Sequence, residues 1–241
     1  MKRLLALASA LVLLAGGIRA QELTLASLDK ELDAVFAAAQ APGKKSTGPD
    51  PAKVDGILSR LLDLATDKKG QAESFDALNR VLQVSSYGSK DQVEKHFTEA
   101  LDLLVENWID DDKMAYVVLG PLSRAPKEAE AVAKDYRAQI QRDSKSASVK
   151  LAFEYMALDR DAASATTPDA IAKLVARAKD LKKRMEGKLP ELVQQLDEMI
   201  GGFEILGKPA DEIEGKDLDG VAFKLSDYRG KVVLLDFWGY W

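Results

Sequence analysis

Between Leu23 and Ile200, apolar residues recur every three or four positions in one segment after another. This spacing is typical of amphipathic helices and differs from the two-residue period of a strand. The stripe in the segment from Lys90 to Trp108 is the clearest; its apolar members are Val93, Phe97, Ala100, Leu101, Leu104, Val105 and Trp108. The pattern predicts about nine helices here and no strand. It favours a mainly α-helical N-terminal domain, built as an irregular bundle or a solenoid.

Helix start signals support this interpretation at two positions. Asp50 followed by Pro51 is typical of an N-cap residue and a proline in the first helical turn. Ser89 and Gln92 have the spacing of a capping box, in which each side chain accepts the backbone N–H of the other residue. We therefore expect one helix to begin after Asp50 and another after Ser89.

The helical pattern stops at a pair of glycines, Gly201 and Gly202, which indicates a helix C-terminus. The pair follows a helix and not a strand, so it is no phosphate-binding loop. The sequence predicts a helical domain over residues 21–200, a linker over 201–207 and a different domain over 208–241.

The pattern changes to strand periodicity after this boundary. Asp219-Gly220 is a tight-turn signal, because glycine tolerates a positive φ. Apolar and polar residues alternate from Val221 to Ser226. Val232–Trp238 is then an apolar run with one acid, Asp236, inside it. Such a run is typical of a strand buried on both faces of a mostly parallel sheet.

The string D-L-D-G…L-S-D-Y-R-G-K-V-V-L-L-D-F-W-x-x-W, within residues 207–241, resembles the start of a thioredoxin-like domain. The closest branch is the extracytoplasmic TlpA/redoxin type, also grouped with AhpC/TSA proteins. In that family Cys-x-x-Cys, the redox pair, follows directly after the second tryptophan, which here is Trp241; the chain contains no cysteine. Asp211 and Tyr240 depart from the usual family residues. The resemblance implies the opening β-strands of an incomplete thioredoxin-like α/β domain.

The resemblance also implies roles for three residues. Asp236 matches a buried aspartate that assists deprotonation of the second cysteine, and burial would raise its proton affinity. Trp238 and Trp241 match the aromatic pair that flanks the active site. The alternative is that Asp236 is an acid facing solvent and that the tryptophans are core residues only. In this chain none of the three has a thiol to serve.

Two functions are compatible with these observations. One is a thiol-disulfide oxidoreductase of the redoxin type, present as a fragment without its catalytic cysteines, whose partner would be a protein disulfide or dithiol. The other is a non-enzymatic helical binding or scaffold protein that ends in a degenerate redoxin remnant. Neither interpretation requires a cofactor or a bound metal.

The N-terminus indicates export. Residues 1–20 combine a basic start, a short apolar core and a small residue, Ala20, before the expected cut at Gln21, as in a signal peptide. The core is too short for a stable membrane anchor, so a periplasmic or secreted protein is expected. Removing residues 1–20 leaves 31 basic residues against 39 acidic ones, and this balance argues against a nucleic-acid partner.

Three further features favour structural roles. His96 is the sole histidine, and its partners for a catalytic triad or a zinc site are not evident, so we expect a partly exposed surface residue. Asp110-Asp111-Asp112 indicates a loop that caps the helix at Met114 and not a cation site. The segment beginning at Asp217 resembles a calcium loop but has Tyr228 where glutamate is required, and it therefore predicts a hairpin turn.

Overall fold

The computed structural model describes residues 23–40, 48–236 and 238–239. Within these ranges the chain is mainly helical, as the sequence predicts, with nine α-helices and one two-stranded antiparallel sheet. The predicted signal peptide, residues 1–20, lies outside the described residues. The chain divides into two compact units, one ending at Val149 and the other starting at Lys150.

The first unit contains six α-helices and the start of a seventh in the described residues. Their bounds are α1 Leu25–Ala39, α2 Pro51–Asp67, α3 Ala72–Val84, α4 Lys90–Trp108, α5 Met114–Leu119, α6 Glu130–Asp143 and α7 Ala147–Ala162, which continues into the second unit. Short 3-10 turns precede α4 at Ser85–Tyr87 and α6 at Lys127–Ala129. No helix of the described ranges is long and apolar enough to cross a membrane.

The predicted apolar stripes form the core of this unit. α2 packs on α3, and α3 packs on α4. Seven large side chains of the three helices have less than 2% of their surface exposed: Leu58, Leu61, Leu64, Leu78, Phe97, Leu101 and Leu104. A fully buried side chain of this size contributes about 1.5–3 kcal/mol, so these residues contribute most of the stability of the α2–α3–α4 packing. This packing holds α2 and α4 against each other.

Both predicted helix starts are confirmed, since α2 begins directly after Asp50 and α4 directly after Ser89. The predicted capping at Asp50 is confirmed as well, because its side chain accepts the Ala52 N–H at 3.2 Å and Pro51 occupies the first turn of α2. The predicted capping box of Ser89 and Gln92 is wrong, because the Ser89 side chain makes no cap hydrogen bond. The Ser89 N–H, which Gln92 would accept in a capping box, donates instead to the carboxylate of Asp55 on α2.

Within the described chain, the second unit contains the rest of α7, two further α-helices and two β-strands. These are α8 Pro168–Met185, α9 Pro190–Glu204, β1 Glu214–Lys216 and β2 Ala222–Lys224. α8 packs on α9, and its basic side chains pair with acids on either side. These pairs are Arg184–Glu154, Lys182–Asp197, Lys179–Glu204 and Arg177–Asp161. These pairs lie at the surface, where solvent screens them, so they contribute little to stability.

The helix end predicted at Gly201-Gly202 is wrong. α9 continues through both glycines to Glu204. Leu196 and Ile200 bury its apolar face, and the Glu204 carboxylate accepts a hydrogen bond from Lys179 on α8 at 2.6 Å. Tertiary contacts therefore outweigh the cost of two glycines, which is about 1 kcal/mol each.

The hairpin turn predicted at Asp217 is confirmed. β1 and β2 pair in antiparallel register, with Gly215 opposite Phe223. Between the strands, Asp217 Oδ1 accepts the N–H of Asp219 at 3.0 Å and that of Val221 at 2.9 Å. Gly220 has a φ of 80°, which glycine adopts without strain. A 3-10 turn, Leu225–Tyr228, follows β2 directly.

The strand predicted at Val232–Trp238 does not form in the described residues. Residues 232–236 have no regular secondary structure, and Val232 and Leu234 are 104% and 92% exposed. A strand needs a neighbouring strand for its backbone hydrogen bonds, and β1 and β2 pair only with each other. The apolar side chains of 232–236 consequently remain on the surface.

Candidate functional site

The structure describes two of the three residues that the resemblance marks as functional. Asp236 lies on the surface, so the burial implied for it is not present in this chain. Trp238 is 73% exposed. Trp241 lies outside the described residues. Asp236 and Trp238 are therefore both surface residues in this structure.

A buried polar cluster occurs instead between α2 and α4. His96 on α4 has only 3% of its surface exposed, so the prediction of a partly exposed histidine is wrong. Its Nδ1 atom lies 3.7 Å from Asp55 Oδ1, and its Nε2 atom lies 3.5 Å from Ser59 Oγ. Both partners belong to the same face of α2, since residues four apart are neighbours on a helix.

Asp55 connects this cluster to the chain that enters α4. Its two carboxylate oxygens accept the Ser89 N–H at 3.2 and 3.1 Å. A carboxylate is favourable at this place, because the first N–H groups of a helix are unpaired and the N-terminus carries partial positive charge. Asp55 thus performs the capping that the sequence assigns to Gln92.

The electrostatics of the cluster favour a neutral imidazole. Burial lowers the pKa of His96 below its ordinary value, because a charged ring loses its hydration there. The charges of Asp55 and Glu99 oppose this effect, and the charge of Lys95 adds to it. His96 is therefore an uncharged ring at neutral pH with a carboxylate close by.

Ser59, His96 and Asp55 have the connectivity of a nucleophile, a base and an orienting acid. Three observations argue against hydrolytic chemistry. Both distances exceed those of hydrogen bonds in such triads. The Ser59 hydroxyl donates to the Asp55 backbone carbonyl at 3.0 Å. Ser59 also lies inside α2, where the surrounding N–H groups are used within the helix and cannot hold an oxyanion.

The acidic triplet after α4 has structural partners. Asp110 Oδ1 accepts the Lys145 N–H at 2.7 Å, and Asp112 Oδ1 accepts the Ser146 hydroxyl at 2.7 Å. Asp111 accepts the Lys113 N–H at 2.8 Å. No side chain of the triplet caps α5, since the residue before α5 is Lys113, so that prediction is wrong. The triplet instead fastens the loop after α4 to the start of α7.

The second unit contains a surface groove with a mixed apolar and charged lining. This groove of about 430 Å³ lies between α7 and α8, with Leu158 and Leu181 at its base. The charges at its rim, Arg177, Arg184, Glu154 and Asp180, are balanced. Nowhere in the described ranges do three or more histidine or acidic side chains form a group that could hold a metal ion.

Sequence reasoning noted His96 as the sole histidine, but it placed the residue at the surface and did not identify its partners. Ser59 is 37 residues away in the chain, and Asp55 is 34 residues from Ser89. No local pattern connects these positions. The available signal is that Asp55 lies between Val54 and Ile57, two buried residues of the α2 stripe, which places its side chain close to the core.

The chain was also compared with known proteins. No family model, no curated protein and no solved structure matches it.

Proposed function

We propose that the chain contains the opening part of a thioredoxin-like domain of the TlpA/redoxin type, attached to a helical N-terminal region and exported by residues 1–20. The proposal rests on the string within residues 207–241 that resembles that family. The observation that supports it best is the order of structural features in this segment. A hairpin closed by Asp217, the turn Leu225–Tyr228 and the apolar segment 232–236 follow one another.

The exposure of the apolar segment is central to this proposal. Val232 and Leu234 of this segment are 104% and 92% exposed, and Trp238, just after it, is 73% exposed. Exposed apolar patches mark surfaces that another segment or partner covers. In a complete thioredoxin-like domain, this segment would be an inner strand covered by helices on both faces. Asp236 would then become buried and could accept a proton.

The chemistry of the proposed family is thiol-disulfide exchange. A cysteine thiolate attacks one sulfur of a substrate disulfide, forms a mixed disulfide and releases the other sulfur as a thiolate. A second thiolate then resolves the mixed disulfide and releases the reduced substrate. The 241 residues contain no cysteine, so both thiols would have to come from residues outside this chain.

The decisive experiment is to read the coding DNA beyond the Trp241 codon and to express the chain as it continues in frame. We expect a Cys-x-x-Cys pair directly after Trp241 and catalysed reduction of insulin by the extended protein with dithiothreitol. The matched controls are the 241-residue chain and the extended protein with both cysteines changed to serine. Neither control should exceed the uncatalysed rate.

Two results would overturn the redox proposal. One is the absence of a cysteine pair in the continued reading frame, and the other is an extended protein with the pair but without activity. Either would favour the non-enzymatic helical binding protein. Export is tested separately, since mass spectrometry of the protein recovered from the periplasm or medium should show Gln21 as the first residue.

A further inference from the structure

The His96 ring has one polar atom without a partner. Nδ1 is buried and makes no hydrogen bond in the described structure. Asp55 Oδ1 lies 3.7 Å from Nδ1, which is too long for a hydrogen bond. A buried polar atom without a partner is rare and costs stability. The unused capacity of Nδ1 therefore requires an explanation.

The hydrogen bonds of Ser59 indicate which ring nitrogen carries the proton. The Ser59 hydroxyl donates its single hydrogen to the Asp55 carbonyl oxygen at 3.0 Å. Toward His96 Nε2, at 3.5 Å, Ser59 Oγ can therefore only accept. We therefore assign the hydrogen of the neutral ring to Nε2, and this assignment leaves a lone pair on Nδ1. A lone pair facing a carboxylate is repulsive, which accounts for the 3.7 Å separation.

Proton uptake would reverse this contact. A hydrogen on Nδ1 converts two facing acceptors into a charge-assisted hydrogen bond, with a normal length of about 2.7–2.9 Å. Asp55 Oδ1 would have to move toward the ring, and this same oxygen accepts the Ser89 N–H at 3.2 Å. The His96 ring and the start of α4 therefore compete for one carboxylate.

We propose that Asp55 and His96 form a proton-operated switch, in which proton uptake at His96 Nδ1 draws the Asp55 carboxylate away from the Ser89 N–H and loosens the start of α4 from α2. At neutral pH the switch is closed, and the Asp55 carboxylate accepts the Ser89 N–H. In acid the switch opens, and the Asp55 carboxylate accepts a hydrogen bond from the imidazolium ring of His96. The switch lies in the first unit of the chain and is independent of the proposed redox function.

The surrounding charges determine the pH at which the switch operates. Burial opposes the charged ring most strongly, and the nearby Lys95 opposes it as well. Asp55 on α2 and Glu99 on α4 favour the charged ring. Among the described residues, Lys95, Asp55 and Glu99 are the charges that act on the ring. The switch therefore opens below the ordinary range of histidine, about 6.5.

Nuclear magnetic resonance of the full chain tests the proposal directly, because a single histidine gives unambiguous ring signals. At neutral pH the ring ¹⁵N shifts should show hydrogen on Nε2. On titration, the midpoint of His96 should lie below about 6.5. The Ser89 amide shift and its hydrogen exchange should change with the same midpoint.

Three variants separate the switch from a passive buried histidine. Asp55→Asn keeps an oxygen for Ser89 but removes the charge, so the His96 midpoint should fall further and Ser89 should cease to respond. His96→Gln should abolish the Ser89 response. Asp63→Asn changes an exposed acid on the same helix and should leave the His96 midpoint unchanged.

Two results would overturn the proposal. One is a His96 midpoint at or above the ordinary range, and the other is a Ser89 amide that does not follow the histidine. If His96→Gln fails to fold, the titrations of the unsubstituted chain and of Asp55→Asn still decide between these outcomes.

Discussion

The Asp55 carboxylate occupies the space in which a side chain at Gly88 would begin. A Cβ atom built on Gly88 would collide with Asp55 Oδ1 and would also lie 3.3 Å from the Ser85 carbonyl oxygen. The backbone of Gly88 is extended, with φ −76° and ψ −178°, which any residue can adopt. Space and not backbone conformation therefore requires glycine here. The requirement arises because Asp55 reaches past Gly88 to the Ser89 N–H.

Replacing Gly88 by alanine tests this relationship. Gly88→Ala should force Asp55 off the Ser89 N–H and destabilise the protein by about 1–3 kcal/mol, the usual cost of overpacking. Urea unfolding followed by circular dichroism measures the change. The matched control is Gly56→Ala, since Gly56 lies in α2 with open space around its Cβ position. It should stabilise the protein by about 0.5–1 kcal/mol. Equal stability of Gly88→Ala and the unsubstituted chain would contradict the steric argument.

The continuation of α9 through its glycines makes a second prediction. Gly201 is exposed, helical and has no atom within 4 Å of its Cβ position. Gly201→Ala should therefore increase helix content and stabilise the protein by about 1 kcal/mol. Gly207→Ala should do the opposite, because Gly207 has a φ of 76°. If Gly201→Ala destabilises the protein and Gly207→Ala does not, α9 ends at Gly201 as the sequence alone suggests.

The start of α7 depends on Ser146. Its hydroxyl donates to Asp112 Oδ1 at 2.7 Å and accepts the Val149 N–H at 3.1 Å. Ser146→Ala removes both bonds and should cost about 1–2 kcal/mol, at the upper end for a lost helix cap. Ser164→Ala is the control, because Ser164 is exposed and bonds only to the nearby Asp161 carbonyl. Comparable losses in the two variants would show that the Asp112 contact contributes nothing.

The raised pKa of Tyr136 predicts that the protein loses stability in alkaline solution. Burial, the hydrogen bond that its hydroxyl donates to Asp102 and the Asp102 charge raise the pKa of Tyr136 to about 12. In the unfolded chain a tyrosine titrates near 10, so between these values the folded state binds more protons. The associated stability is complete below pH 10 and is lost as the pH rises toward 12.

Two measurements check the prediction for Tyr136. In Tyr136→Phe, the slope of unfolding free energy against pH should become shallower between pH 10 and pH 12. The tyrosinate absorbance titration of the unsubstituted chain should contain a late component that the variant lacks. An unchanged titration curve would show that the hydroxyl is not held by Asp102.

The outcome at Ser89 shows where sequence reasoning reached its limit. Asp50 and Ser89 both occupy the N-cap position of a helix, but only the Asp50 side chain makes a capping hydrogen bond. The Asp50 bond to the Ala52 N–H is local, so it can be predicted from neighbouring residues. The group that occupies the Ser89 N–H is Asp55, 34 residues earlier in the chain. Its position depends on the packing of α2 against α4.

The sequence by itself determined the helices. Their backbone hydrogen bonds lie within each segment, and the apolar stripe that buries Leu58 and Phe97 is visible as a three-to-four-residue period. The hairpin turn at Asp217 is local in the same way, since its bonds span only a few residues.

Only the tertiary structure decided the features that require distant partners. It buried His96 beside Asp55 and extended α9 through Gly201 by packing that helix on α8. It also left Val232 and Leu234 exposed, because their apolar pattern predicts a strand but a strand forms only where another strand supplies its hydrogen bonds. Periodicity shows which face of a segment is apolar, whereas burial depends on which surface the folded chain places against that face.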